Sequence, residues 1–124
     1  MRRLLVLVAG IATLLGAGSV LADTQPSPAA SAQVKIDNYT FKPATLTIAA
    51  GTTVTWKNLD DDPHTATAAD GSFDSKGLAQ GDTFSFRFTK PGTYAYHCTV
   101  HPFMQGTILV QPTTSDTSAK KGAR

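Results

Sequence analysis

Apolar and polar residues alternate along most of the chain from residue 34 to residue 112. Alternation with a period of two predicts β-strands that bury one face, and glycine- or proline-containing turn signals separate the runs. The alternating apolar positions are Val34 and Ile36; Leu46 and Ile48; Val54 and Trp56; Phe84, Phe86 and Phe88; Tyr94, Tyr96 and Cys98; and Ile108 and Val110. No stretch shows sustained helical periodicity. We therefore predict an all-β fold, a Greek-key β-sandwich whose core holds these side chains.

Residues 1–22 are typical of a cleaved secretory signal peptide. Arg2 and Arg3 form a basic start, an apolar stretch follows, and small residues end at Ala22. The next residue is Asp23 rather than cysteine, which is evidence against a lipoprotein. An uncleaved membrane anchor is the alternative, because about 17 apolar residues lie near the lower limit for spanning a bilayer. We predict export to the periplasm and no stable membrane insertion after cleavage.

Two segments without apolar periodicity flank the predicted sandwich. Residues 23–33 are rich in Pro, Ala and Ser and predict a flexible leader, and residues 113–124 predict a disordered tail. The remaining segment, 34–112, is long enough for one domain with one hydrophobic core. It carries six cations and seven anions, although the whole chain has a net charge of +2. The domain has no excess of positive charge, so nucleic acid is not a predicted partner.

The cysteine at position 98 is the only one in the chain, and it opens a Cys-x2-His-x2-Met run formed by Cys98, His101 and Met104. A second imidazole, that of His64, follows Pro63 in a loop between strands. Two imidazoles, a thiolate and a weak thioether are the ligand set of an electron-transfer copper site. Soft sulfur suits Cu(I) and imidazole tolerates Cu(II), so both states can be held with little rearrangement. We predict one copper, cycling between Cu(I) and Cu(II), bound by His64, Cys98, His101 and Met104.

The order of these residues indicates how they could meet. Cys98 shares a strand face with Tyr94 and Tyr96, so its sulfur should point inward. A tight turn would return His101 toward the same point, and a sandwich brings its end loops, including the one with His64, together at one pole. Taken singly, a cysteine or methionine on an apolar face is usually a core residue. The four together, in this order, favour a metal site.

The runs Tyr-His-Cys-Thr at 96–99 and His-Pro-Phe-Met at 101–104 resemble the cupredoxin family of blue copper proteins. The resemblance extends from about Val34 to Gln111 and is closest to amicyanin, then to plastocyanin and pseudoazurin. It implies a cupredoxin domain over 34–112 with eight or so strands, and a monomer that meets redox partners transiently. Such partners include a c-type cytochrome or a dehydrogenase. It also implies three equatorial ligands and one long axial ligand: His64, Cys98 and His101, with Met104 on the axis.

One position departs from the family pattern. Many cupredoxins carry Asn after the first histidine ligand, where it ties the two ligand loops together near the thiolate. Here that residue is Thr65. A hydroxyl replaces the amide, so the surroundings of the thiolate change and the reduction potential of the family does not carry over.

Three neighbouring features have a functional and a structural interpretation. His97 precedes Cys98 on the strand, so its side chain should project to the opposite face and should not bind the metal. It is either an ordinary strand histidine or a lateral route for electrons. Pro102 and Phe103 are either a rigid turn or an apolar collar for transient docking. The acidic run 60–62 is either a solvated loop or a means of steering a basic partner.

The same residues bear on three competing functions. A multicopper oxidase relays electrons through histidines on both sides of its cysteine, but residue 99 is threonine and the chain has three histidines, so we do not predict an enzyme. The predicted function is a periplasmic one-electron carrier. A periplasmic copper carrier or chaperone is the alternative, although such proteins usually offer many exposed Met or His ligands. Zinc would accept Cys and His but has no redox role.

Overall fold

The computed structural model describes residues 30–113 together with Gly16 and Gly18. Within this part of the chain the strands are β1 (Ser31–Ile36), β2 (Phe41–Lys42), β3 (Thr45–Ala49), β4 (Thr52–Asn58), β5 (Thr67–Ala68), β6 (Thr83–Phe88), β7 (Gly92–His97) and β8 (Gln105–Gln111). They form two four-stranded sheets, in the orders β2-β1-β4-β6 and β3-β8-β7-β5. The predicted all-β sandwich is confirmed.

Strand pairing in both sheets is mixed. In the first sheet β1 runs parallel to β4, with Val34 opposite Trp56, and β4 runs antiparallel to β6, with Trp56 opposite Phe84. In the second sheet β3 runs parallel to β8, and β7 pairs antiparallel with both β5 and β8. Strands adjacent in space are therefore often distant in sequence, which brings remote loops to the same end of the sandwich.

The core is aromatic and centres on Trp56, which is fully buried. Its ring lies 5.2 Å from that of Phe73 and 5.5 Å from that of Tyr96, measured between centroids. Because β-strands place alternate side chains on one face, these rings meet between the sheets. The prediction that Trp56 belongs to the core is confirmed, and large buried aromatic rings contribute much of the hydrophobic stabilisation in such a core.

The ends of three strands define the pole where the predicted ligands lie: β4 ends at Asn58, β7 ends at His97 and β8 begins at Gln105. We call this end the metal pole. Toward the opposite end of β7, the hydroxyl of Tyr94 donates a hydrogen bond to the carbonyl of Lys90 at 2.8 Å. A tyrosine hydroxyl bonded back to the backbone a few residues upstream is the tyrosine corner seen in β-sandwich folds.

The start of the sandwich corrects one predicted boundary. Strand β1 begins at Ser31 and pairs with β4 from Thr53 onward, so residues 31–33 belong to the sheet rather than to a flexible leader. The signal peptide predicted for 1–22 and the rest of the leader and tail lie outside the continuously described residues. Among described residues, the structure contains no helix long and apolar enough to cross a membrane.

Candidate metal centre

The first histidine stands on residues 59–65, which we call the His64 arm. His64 is fully buried and exchanges two backbone hydrogen bonds with Leu78, of 3.1 Å and 2.8 Å. Its Nε2 lies 2.8 Å from Oδ2 of Asp60. When Nε2 carries the proton and donates it to this carboxylate, Nδ1 is left unprotonated and can bind a metal.

Asp60 organises the arm rather than simply facing solvent. Besides meeting His64, its carboxylate accepts the backbone N–H of Asn38 at 2.6 Å and that of Tyr39 at 2.9 Å. Desolvation acts to raise the pKa of Asp60, but the N–H donors of Tyr39 and Asn38 and the contact with His64 outweigh it and hold the pKa below its usual range. For this residue the interpretation of the acidic run as a solvated loop is therefore wrong.

Asn58 holds the base of the arm. It is fully buried, and its Nδ2 donates to the carbonyls of Asp62 and Leu78, each at 2.9 Å. Its Oδ1 accepts the backbone N–H of Asp60 at 3.0 Å. One amide side chain thus connects Asp60 and Asp62 of the arm with Leu78, the residue that pairs with His64. Sequence reasoning missed this residue, because an asparagine at the end of a strand gives no signal of which remote carbonyls it will meet.

The other three predicted ligands lie on residues 98–104, which we call the C-terminal ligand loop. Cys98 is fully buried, Met104 is buried and His101 is half-buried. The backbone N–H of Cys98 donates to the carbonyl of Met104 at 3.1 Å, and that of Met104 donates to the carbonyl of His101 at 2.9 Å. These two bonds close the loop on itself.

Three donor atoms converge where the arm meets the loop. Sγ of Cys98 lies 3.8 Å from Nδ1 of His64 and 3.9 Å from Nδ1 of His101, and the two Nδ1 atoms are 3.2 Å apart. Nitrogen and sulfur atoms at such separations can share one small metal ion. A thiolate with two imidazoles fits copper in either of its common oxidation states. Met104 is held beside Cys98 through the backbone.

Thr65 links the arm to the loop at the thiolate. Its backbone N–H donates to Sγ of Cys98 at 3.3 Å, and its Oγ1 accepts the backbone N–H of Thr99 at 2.9 Å. The tie that the family resemblance assigned to an asparagine amide is made here by a hydroxyl. The altered residue therefore keeps the loops joined while it changes the dipoles around the sulfur.

Tyr39 covers the site from a turn far away in sequence. Its backbone has a positive φ of 55°, and its ring meets those of His64 and His101 edge to face, with centroids 5.2 Å and 5.1 Å away. Its hydroxyl donates a hydrogen bond to the carboxylate of Asp62, which raises the pKa of Tyr39. Sequence reasoning missed this residue because only the fold places it over the histidines.

The surroundings of His101 are exposed and apolar. Four large apolar side chains that remain exposed lie on the turns near this end: Tyr39, Leu59, Val100 and Phe103. Phe103 is 71% exposed, and its ring centroid lies 6.0 Å from that of His101. His97, by contrast, is a half-buried residue of β7 opposite Thr67 and Gln105, and it does not belong to the converging donor group.

Comparisons with known proteins agree with this arrangement. The cupredoxin-like domain family matches residues 5–110. Amicyanin-alpha of Methylorubrum extorquens is 39% identical over 110 residues, covering 85% of this chain and 92% of the relative. A plastocyanin of Scenedesmus fuscus is 39% identical over 84 residues, covering 57% of this chain and 86% of the relative.

A solved structure places the same fold inside a larger protein. A copper-containing nitrite reductase of Thermus scotoductus aligns with a TM-score of 0.62 and 33% identity over 65% of this chain, but over only 22% of that chain. Amicyanin-alpha and the plastocyanin, in contrast, are matched along 92% and 86% of their own length. With copper as the family's cofactor and the donor atoms in place, the sequence-based family prediction is confirmed: the chain belongs to the cupredoxin-like family.

Proposed function

We propose that this protein is a periplasmic one-electron carrier with a single type 1 copper, bound by Nδ1 of His64, Sγ of Cys98, Nδ1 of His101 and the thioether of Met104. The convergence of the first three of these atoms within 4.8 Å of one another is the observation that carries the proposal. Copper, when bound, supplies a reversible one-electron couple. The side chains around the site fix the ligands and provide the surface on which a redox partner docks.

The chain holds the donors in place before and after electron transfer. Asp60 orients the imidazole of His64, the amide of Thr65 donates to the sulfur of Cys98, and the short loop is closed by its own backbone bonds. Each ligand is therefore fixed by a contact that does not depend on the charge of the metal. A preorganised site needs little rearrangement when one electron enters or leaves, which favours fast transfer.

The half-buried edge of His101 is the proposed point of entry and exit for electrons. The exposed apolar collar around it, with Phe103 most prominent, suits brief docking of a redox protein such as a c-type cytochrome or a dehydrogenase. Asp61, within the His64 arm, is exposed and could attract a basic partner. The amicyanin relatives support such transient partners, and we expect the carrier to act as a monomer.

Burial of the ligands favours a carrier of electrons over a carrier of copper. A protein that hands copper to an acceptor needs donors that a second protein can reach, but Cys98 and His64 are fully buried and Met104 is 2% exposed. Only His101 approaches the surface. This arrangement therefore predicts slow release of copper and rapid transfer of electrons.

The first experiment loads the purified protein with Cu(II) and records visible and electron paramagnetic resonance spectra. An intense thiolate-to-copper charge-transfer band, with a small copper hyperfine splitting and a reversible reduction, is the expected result. Cys98→Ser should abolish the band, whereas His97→Gln should keep it, because His97 lies outside the donor group. A weakly coloured complex that gives its copper quickly to a chelator would favour the copper-carrier function.

Location is tested separately. The predicted cleavage after Ala22 and the export of the protein are examined by sequencing the N-terminus of the protein isolated from the periplasmic fraction. A mature chain that begins at Asp23 is the expected product. A chain that keeps residues 1–22 and sediments with membranes would mean that the segment acts as an anchor.

A further inference from the structure

A chain of hydrogen-bonded hydroxyls leads to the protein surface from Thr65, the residue whose backbone N–H donates to Sγ of Cys98. Oγ1 of Thr65 lies 3.0 Å from Oγ1 of Thr67 and 3.2 Å from Oγ1 of Thr99, in addition to accepting the Thr99 backbone N–H. Oγ1 of Thr67 in turn lies 3.2 Å from Oδ1 of Asp74. We call the hydroxyls of Thr65, Thr67 and Thr99 the threonine chain.

The register of the second sheet explains this alignment. In the antiparallel pair of β5 with β7, Thr67 stands opposite His97, so continuing the pairing places Thr65 opposite Thr99. Residues 65 and 67 project to the same face because strand side chains alternate. The threonines therefore lie on the face away from the core, while the intervening Ala66 is buried in it.

The direction of each hydrogen bond follows from the acceptor at the surface end. An ionised carboxylate only accepts, so Thr67 gives its single hydroxyl proton to Asp74. Thr65 then gives its proton to Thr67, and its oxygen accepts both the N–H and the hydroxyl of Thr99. Every donor points toward Asp74, and aligned hydrogen bonds of this kind polarise one another.

Asp74 is fixed in place at the outer end. Its Oδ1 accepts the backbone N–H of Lys76, and its Oδ2 lies 2.9 Å from Nζ of Lys76. The backbone N–H and the ammonium of Lys76 hold the pKa of Asp74 below its usual range. The carboxylate is thus charged at neutral pH, while its side chain is 39% exposed.

We propose that Asp74, acting through Thr67 and Thr65, is a positioning residue that tunes the reduction potential of the metal site from the surface. This inference rests on the proposed electron-carrier function. A polarised Thr65 oxygen binds the Thr99 amide more strongly and so tightens the joint between the His64 arm and the C-terminal ligand loop. It also places more negative charge beside the thiolate, which favours the oxidised metal.

The test is a double-mutant cycle in the full copper-loaded protein. Asp74→Asn removes the charge but keeps an acceptor, and Thr67→Val cuts the chain while keeping the shape of the side chain. Each variant and the pair are compared for the reduction potential and for the exchange rate of the Thr99 amide proton, measured by NMR in the diamagnetic Cu(I) state. Asp70→Asn is the matched charge control, because Asp70 lies in the same loop and its carboxylate accepts the backbone N–H of Ser72 rather than a bond from the threonine chain.

Two further variants control for the threonine change. Thr67→Ser keeps the hydroxyl and should restore wild-type behaviour. Thr55→Val removes a hydroxyl of the same kind from β4, where it meets Ser85 at 2.7 Å in the other sheet, and should move neither readout.

We expect both single variants to raise the potential and to speed Thr99 amide exchange roughly two- to tenfold, the effect of weakening one ordinary hydrogen bond. In the Thr67→Val background, Asp74→Asn should lose its effect on exchange and at least half of its effect on potential. An Asp74→Asn effect that is equal in both backgrounds would show only a charge acting through space and would overturn the proposal, as would no effect at all.

The two proposals fail separately. If the wild-type protein shows no reversible copper couple, the electron-carrier function fails. Amide exchange at Thr99 in the metal-free full chain still measures whether Asp74 and Thr67 act on it in series. Unchanged exchange in Thr67→Val would refute the threonine chain even where the copper site is intact.

Discussion

The His64 arm and the C-terminal ligand loop bring donors to the same point, but different forces hold them. The arm is secured by hydrogen bonds from side chains, chiefly those of Asn58 and Asp60. The loop is secured by its own backbone bonds and by packing at its base, where the ring of Tyr96 lies over Gly106. One ligand segment is anchored by side-chain hydrogen bonds, and the other by backbone hydrogen bonds and packing.

The difference also separates the roles of the two histidines. His64 is fully buried beneath its hydrogen-bonded arm, whereas His101 is half-buried and borders the exposed collar. A rigid ligand preserves the geometry of the site, and a ligand near the surface can communicate with a partner. The variants below should separate these roles, beginning with the largest expected effect.

The largest effect should come from replacing each histidine. His64→Gly and His101→Gly should both lose the intense charge-transfer band and weaken copper binding by more than the roughly 10- to 100-fold that loss of a ligand's hydrogen-bond partner costs. Added imidazole should restore the band in His101→Gly, because that position borders solvent, but not in His64→Gly. Visible titration with imidazole measures this. Equal rescue of both variants would show that the two sides are equally accessible.

Next in size is the loss of the anchor of the arm. Asn58→Ala removes three hydrogen bonds made by a fully buried side chain, so the free energy of unfolding should fall by about 2–4 kcal/mol. Urea denaturation measures it. The control is Gln80→Ala, which removes one exposed bond to the same arm, that to the carbonyl of Leu59, and should cost no more than about 0.5 kcal/mol. Similar losses in both variants would argue against hydrogen bonding as the anchor.

A change at the base of the loop tests packing instead. A Cβ at Gly106 would collide with the ring of Tyr96, so Gly106→Ala must displace the ring and should lower the free energy of unfolding by about 1–3 kcal/mol. The charge-transfer band should shift, because Tyr96 lies on β7 only two residues before Cys98. Gly77→Ala, at a site with open space, is the control in the same denaturation experiment. An unchanged Gly106→Ala protein would mean that the ring does not secure the loop.

The same ring predicts a dependence on alkaline pH. Burial raises the pKa of Tyr96 to about 12, whereas an unfolded tyrosine titrates near 10. The folded state keeps its proton longer, so this contribution is complete below pH ~10 and declines as pH rises toward ~12, by at most about 3 kcal/mol.

Tyr96→Phe should flatten that decline. Because Oη of Tyr96 has no hydrogen-bond partner among the described residues, the variant should keep its stability at neutral pH. Thermal unfolding between pH 7 and 11 measures both effects. A slope as steep in Tyr96→Phe as in the wild type would assign the alkaline loss to another group.

The smallest effect on the fold should come from the collar. Phe103→Ala changes a side chain that is 71% exposed, so stability should change by less than about 0.5 kcal/mol and the band should be unaltered. Electron transfer to a c-type cytochrome should nevertheless slow several-fold, because docking loses apolar contact. Stopped-flow kinetics measures the rate, with Thr47→Ala on the exposed face of β3 as the control. An unchanged rate would move the docking site away from His101.

The sequence by itself determined the strands and the ligand types. Period-two alternation around Trp56 and Phe88 could be recognised because burying one face of a strand requires it, and the close spacing of Cys98, His101 and Met104 makes a local ligand loop possible. These features depend on neighbours within a few residues, which the linear order displays directly.

Only the tertiary structure decided what surrounds those ligands. Tyr39 over the histidines, Asn58 under the arm and Asp74 at the end of the threonine chain all act across gaps in sequence that the sheets close. The start of β1 at Ser31 is a similar case, since polar residues there join the sheet because β4 offers them backbone partners. Hydrogen bonds and ring contacts depend on distance and direction in space, and a pattern along the chain specifies neither for residues that the fold brings together.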